Sequence, residues 1–275
     1  MDLYTLLPFL FVFIFGTIIG SFLNVVIYRL GSGHGFTGRS KCLSCGKTLH
    51  AIHLIPVLSY LLQCGRCAYC TTKISVQYPL VEMLTGILFV LAFQVNGALM
   101  VLSNMHALVL FLLDLTVFST LVAITVYDLK HKIIPDRLAL LFALFAGLVL
   151  FFKLRFGILP ESYIPVFDTI PRYIDVLAGP ILALPFALLW FFSGGRAMGL
   201  GDAKLAWSIG WFLGFAKGIS AIVFSFWIAF IPSIILLLLP QKTFTMKSEI
   251  PFAPYLVLGT LAVYYFGFDL LGWTF

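Results

Sequence analysis

The chain has 275 residues, 61% of them hydrophobic and 10% charged. An ordinary soluble domain carries roughly a quarter charged residues, so this chain has too little charge to coat a water-facing surface, and a bilayer must be its solvent. The net charge of +6 is scattered through short loops rather than clustered, which excludes a nucleic-acid interface and leaves the basic residues to report membrane orientation.

A spanning helix needs ~20 mostly apolar residues. Reading for such segments in chain order gives eight, at about 5–29, 77–96, 106–127, 136–153, 176–193, 202–216, 219–240 and 251–270. The N-terminus, Met1-Asp2, has no basic region and its apolar stretch is too long for a cleaved signal peptide, so the first segment is expected to be retained. The expected fold is an all-α polytopic membrane protein of about eight transmembrane helices, with a small zinc-binding loop domain after helix 1. The chain divides accordingly into helix 1 (1–30), a cysteine loop (31–76) and a seven-helix membrane domain (77–275).

Orientation follows from the Lys/Arg bias of the loops. With residues 30–76 in the cytoplasm, that side holds Arg29, Arg39, Lys41, Lys47, Arg66, Lys73, Lys130, Lys132, Arg137, Arg196, Lys204, Lys242 and Lys247. The opposite side holds Lys153, Arg155, Arg172 and Lys217. Both termini then lie outside.

The five cysteines fall between Cys42 and Cys70, inside a polar stretch with basic neighbours. Cys42-x₂-Cys45 followed by Cys67-x₂-Cys70 can supply four thiolates to a tetrahedral Zn²⁺. Disulfides do not persist in the cytoplasm, which leaves metal binding as the natural use against free thiols or a redox pair. Cys64-x₂-Cys67 has the same spacing, so spacing alone does not choose the fourth ligand.

Of the eleven acidic residues, Asp2, Asp136, Glu161, Asp168, Asp175, Glu249 and Asp269 lie at segment ends or in loops, where solvated or interfacial roles suffice. Glu82, Asp114, Asp128 and Asp202 fall in or against spans, and a carboxylate at membrane depth is a functional hypothesis by default. Asp128 ends the third segment and Asp202 begins the sixth, both at the cytoplasmic boundary. Two carboxylates at one depth can share a proton, one serving as general base on a water and the other as general acid. Gly199 and Gly201 remove side chains beside Asp202, so that a substrate backbone can approach. The plain alternative is that Asp128 and Asp202 neutralise Lys130 and Lys204. Glu82, in Tyr78-Pro79-Leu80-Val81-Glu82, reads as support for a site rather than a reacting group.

These residues resemble the bacterial prepilin peptidases, the type IV leader peptidases, over nearly the whole chain. The resemblance rests on Gly20-Ser21-Phe22-Leu23-Asn24, the two cysteine pairs around Ile55-Pro56-Val57-Leu58-Ser59-Tyr60, and Tyr78-Pro79-Leu80-Val81-Glu82. It continues through Asp128 with Ile134-Pro135-Asp136, Gly199-x-Gly201-Asp202-x-Lys204-Leu205, and Ile250-Pro251-Phe252-Ala253-Pro254. It implies that Asp128 and Asp202 are the catalytic aspartates and that Cys42, Cys45, Cys67 and Cys70 hold zinc, leaving Cys64 as an extra; Gly199, Gly201, Lys204, Asp136 and Glu82, which stand beside them in the same motifs, are expected to bind substrate or support the site. It further implies a bacterial inner-membrane enzyme removing the basic leader of prepilins or pseudopilins on the cytoplasmic side. Many members also methylate the new N-terminus with S-adenosylmethionine. Where members often carry Asp-Asn before the loop's Ile-Pro, this chain has His53-Leu54, a departure that bears on methyl transfer.

Two other readings compete. Presenilin-type intramembrane proteases share the Tyr-Asp and Gly-x-Gly-Asp signatures but carry a late Pro-Ala-Leu, which this chain lacks. A non-enzymatic, zinc-stabilised transporter or scaffold would pair its aspartates with lysines, and a transporter would ordinarily show internal repeats; none is convincing here.

Overall fold

The computed structural model describes residues 3–30, 38–156, 173–196, 198–238 and 251–270. Among the residues used for orientation, Arg172, Lys242 and Lys247 lie outside that set, as do Glu161, Asp168, Glu249 and Ile250. The chain divides into two compact units, Met1–Ala123 and Ile124–Phe275.

Unit 1 contains α1 (Leu3–Arg29), a 3₁₀ turn (Ala51–Leu54), α2 (Leu58–Leu62), α3 (Gln77–Val95), α4 (Ala98–Ser103) and most of α5 (Met105–His131). Helices α1 and α3 pack backbone to backbone. Gly16 and Gly20 stand four apart, on one face of α1, and a Cβ on either would lie 2.8 Å from Gly86 Cα and 2.7 Å from Glu82 Cα respectively. In lipid there is no hydrophobic drive between helices, so close approach through small residues is what holds them. Above and below, Phe9 meets Phe93 edge-on at 5.2 Å, and Asn24 Nδ2 donates to the Tyr78 carbonyl at 3.1 Å. Substituting Gly20→Ala is expected to destabilise this pair by ~1–3 kcal/mol, the usual cost of overpacking. Thermal unfolding in detergent measures it, and an unchanged midpoint would mean the contact contributes nothing.

Unit 2 contains the end of α5, then α6 (Asp136–Phe156), α7 (Tyr173–Ser193), α8 (Leu200–Leu213), α9 (Phe215–Leu238) and α10 (Ala253–Phe266). The same small-residue logic joins α7 to α8: a Cβ on Gly210 would fall 2.7 Å from the Ala178 carbonyl. Gly179 leaves room for the Trp207 and Trp211 indoles, and Trp211 Nε1 donates to the Val176 carbonyl at 3.0 Å. Gly214, at φ +85°, ends α8 and turns the chain into α9. Around that turn, Lys153 Nζ donates to the Phe212 carbonyl at 3.1 Å, placing a cation at the negative end of α8. Asp175 Oδ1 accepts the Phe215 N–H at 2.9 Å. Asp175 is therefore buried, where the sequence suggested a solvated or interfacial end, because the first turn of α9 needs an acceptor for its orphan N–H groups.

Each of the eight apolar segments becomes a helix. Among the described residues, six helices are long and apolar enough to cross a membrane, which makes this a multi-pass membrane protein. The sixth and eighth segments give α8 and α10, each 14 residues, or ~21 Å at 1.5 Å per residue, short of a ~30 Å hydrocarbon core. Helix α5 also runs on to His131, beyond the expected end at 127, so that Asp128 lies inside a helix.

Candidate active site and metal centre

The cysteine loop is built from two copies of one turn. In each, the residue before the first cysteine forms an antiparallel bridge with the residue three beyond the second, Lys41 with Thr48 and Arg66 with Lys73. In each, the first cysteine's carbonyl accepts from the residue four along, Gly46 N–H at 2.9 Å and Thr71 N–H at 3.0 Å. That fourth position is left-handed in both copies, at φ +69° for Gly46 and +57° for Thr71. Glycine takes this conformation freely, whereas a β-branched residue resists it. Thr71→Gly is thus expected to stabilise the loop by ~1 kcal/mol, read from the denaturant midpoint of the metal-loaded protein.

The two turns bring Cys42, Cys45, Cys67 and Cys70 together, their Sγ atoms all within 4.8 Å of one another. Cys42 and Cys70 Sγ are 3.7 Å apart. Tetrahedral Zn–S bonds of ~2.3 Å require sulfur separations of about 3.8 Å, so the donor set fits a metal ion. Cys64, at φ +49°, is exposed and outside the cluster, which answers the question spacing left open. Backbone N–H groups of Cys45 and Ser44 hold the Cys42 thiol below its ordinary range. The Thr72 hydroxyl, 3.3 Å from Cys70 Sγ, and the Thr72 N–H hold the Cys70 thiol down at about 6. Both favour the thiolates that a metal needs, whereas at Cys45 the Lys47 N–H is outweighed by burial and by the neighbouring Cys42 and Cys70 sulfurs, which push that thiol up to about 11.

Glu82 is buried in unit 1 and reaches the same loop. Its Oε2 accepts the Val57 N–H at 2.7 Å, and the Ser21 hydroxyl donates to the carboxylate. Val57 stands at φ +61°, ψ −53°, a strained setting for a β-branched residue, held by this bond to a charged acceptor.

In unit 2, Asp128 lies in the last turns of α5 and Asp202 in the first turn of α8, 4% and 8% exposed. The two carboxylates are close enough to repel each other. Asp128 accepts the N–H of Ala253, the first residue of α10, while its Oδ2 is buried without a hydrogen-bond partner. Asp202 accepts the Gly199 N–H. The helix fields differ at the two sites, since the start of a helix favours an anion and its end does not. Two inequivalent, mutually repelling carboxylates, one with an unused buried oxygen, can hold one proton between them and polarise a water.

The neighbouring expectations divide. Lys204 pairs with Asp136 rather than Asp202; the two side chains are 41% and 83% exposed, so the pair is well screened and adds little stability. Gly199 is open beside the Asp202 carboxylate, as a substrate approach requires. At Gly201 the corresponding space is filled by Ile134, whose Cβ a side chain would meet at 2.9 Å, so Gly201 serves close packing of the α5–α6 connection. The Ala253 donor was missed from sequence, because a backbone N–H carries no residue signature beyond Pro254 behind it.

These features define a polytopic helical membrane protein with a buried aspartate pair and a four-thiol loop. Residues 14–95 match the bacterial peptidase A24 N-terminal domain and residues 115–238 match the type IV leader peptidase family. A prepilin leader peptidase/N-methyltransferase of Aeromonas salmonicida is 32% identical, covering 97% of this chain and 94% of its own length. Proteins of the same description from Neisseria gonorrhoeae (33% identical, 73% of this chain and 72% of the relative) and Pseudomonas putida (30%, 91% and 88%) are also similar. No solved structure matches the chain significantly. The chain belongs to the type IV leader peptidase family.

Proposed function

We propose that this protein is a membrane aspartic endopeptidase that removes the basic leader of type IV prepilins or pseudopilins at the cytoplasmic face of a bacterial inner membrane. The observation that carries the proposal is the buried Asp128–Asp202 pair, with Asp128 Oδ2 unpartnered. One carboxylate takes a proton from the attacking water as the other protonates the leaving amine. Gly199 admits the substrate backbone beside Asp202. Gly201 seats α8 on Ile134 and so positions Asp202, while the exposed Lys204–Asp136 pair bridges α8 and the start of α6 without adding much to that hold. The cytoplasmic placement of this site and of the cysteine loop rests on the thirteen-to-four Lys/Arg bias, which requires α8 and α10, though short, to cross the membrane with the other six.

The four cysteines hold Zn²⁺ as a structural staple, and Glu82 anchors their loop to α3. N-methylation of the new N-terminus, as the names of the relatives state for them, belongs to the same proposal. For S-adenosylmethionine the described residues offer no strand-to-helix glycine turn, their β-structure being two isolated bridges, and we derive no methyl-transfer step.

Co-expression with a prepilin tests the reading. The expected result is a mobility shift equal to leader loss, and intact prepilin in the presence of inserted enzyme would overturn it. Mass spectrometry of the mature N-terminus then decides methylation, which an unmethylated product at complete processing would exclude.

A further inference from the structure

The cysteine loop carries an apolar surface that the peptidase chemistry leaves unused. Leu58, Leu61 and Leu62 follow the i, i+3, i+4 spacing of one helical face on α2 and are all exposed, Leu62 by 82%. Ile52 and Ile55 beside them are exposed too, whereas Ser59 and Tyr60 on the other side of α2 are half-buried. Two further observations say what covers this face.

The first is depth. The Glu82–Val57 bond fixes the residue before α2 to the second turn of α3, a membrane helix whose cap Val76 and early residues Leu80, Met83 and Leu84 are themselves exposed and apolar. Leu58 therefore begins where the lipid-facing surface of α3 begins. The second is charge. Residues 31–76 contain Arg39, Lys41, Lys47, Arg66 and Lys73 and no Asp or Glu, and four thiolates around a divalent metal still leave the loop positive. A positive segment with exposed leucines at the end of a spanning helix is matched by an anionic lipid surface, and it would repel a basic peptide.

We propose that α2 lies in the membrane interface, with Leu58, Leu61 and Leu62 among the acyl chains and the loop's lysines and arginines at anionic phospholipid headgroups. The cysteine loop is then a peripheral membrane module rather than a free cytoplasmic domain. This inference requires only that the chain be membrane-embedded, so it stands or falls independently of the peptidase assignment.

The test uses the full, metal-loaded chain in vesicles of phosphatidylcholine, with or without phosphatidylglycerol, containing a phospholipid with a diazirine on its acyl chain. After photolysis, mass spectrometry is expected to find label on the peptide bearing residues 58–62, rising several-fold with phosphatidylglycerol while label on α1 and α3 stays constant. Leu61→Asp with Leu62→Asp should remove the loop label at undiminished metal content, which shows that the loop remains folded. A peptide 58–62 that stays unlabelled in both vesicles, while α1 and α3 label, overturns the proposal. So does hydroxyl-radical protection of that peptide that appears only at high protein density, which would assign the face to a second copy. Protection that appears only with added prepilin overturns it too, in favour of substrate docking.

Discussion

Asp128→Asn and Asp202→Asn are each expected to abolish leader removal, a loss of ~10²–10⁴-fold or more, with membrane insertion and helix content unchanged. The amide is close in shape to the carboxylate and keeps an acceptor oxygen. Asn at 128 still accepts the Ala253 N–H and Asn at 202 still accepts the Gly199 N–H, so the packing around each is preserved. On the proposed mechanism the change removes the shared proton that lets one carboxyl act as acid and the other as base. The pair acts there as one unit, so the double variant is expected to be no slower than the worse single one. Single-turnover cleavage of prepilin in proteoliposomes, with circular dichroism alongside, checks this. Activity within tenfold of the parent in either variant removes that residue from the chemistry.

Removing the metal is expected to have the largest effect on stability. Structural zinc sites contribute apparent binding energies of about 10–16 kcal/mol, and a loop of this size has little core of its own. The purified protein should hold about one zinc per chain by elemental analysis. Cys67→Ser, the most buried of the four ligands, should lose it and leave residues 38–76 open to proteolysis. Cys64→Ser should keep metal and protection alike, since its thiol stands outside the cluster. The pH dependence has a definite sign. With the Cys70 thiol held at about 6 by Thr72, its thiolate is already formed at neutral pH and metal loading does not wait on it. Thr72→Val removes the hydroxyl that helps hold the thiol down, so metal uptake at a pH near 6 should weaken while uptake at higher pH is retained.

Much of this architecture could be read from apolar length alone, because a bilayer admits few alternatives to a helix. The eight segments and the two cysteine pairs follow from residue type and spacing, whereas for Asp128 and Asp202 these place both only at one membrane boundary, and it is the resemblance of the surrounding motifs that implies a catalytic pair. What could not be read depends on partners remote in sequence. Asp175 is buried because Phe215, forty residues later, starts a helix against it. Asp114, in mid-α5, takes a hydrogen bond from Asn96, and no pattern announces that pairing. Gly201 looked like access to a carboxylate and is filled by Ile134. The short α2 and α4 are too brief for periodicity to register. The choice between Cys64 and Cys70 needed geometry, since their spacings to Cys67 are the same.

The cover over Asp202 has a consequence for what reaches it. The carboxyl end of α8 is pinned by Lys153 and by the Gly214 turn, while its first turn holds Asp202 only 8% exposed, beside a Gly199 whose missing side chain leaves room next to the carboxylate. A gap the width of one side chain admits an extended strand and turns away a folded domain. A substrate's cleavage segment is therefore expected to straighten before residue identity is consulted.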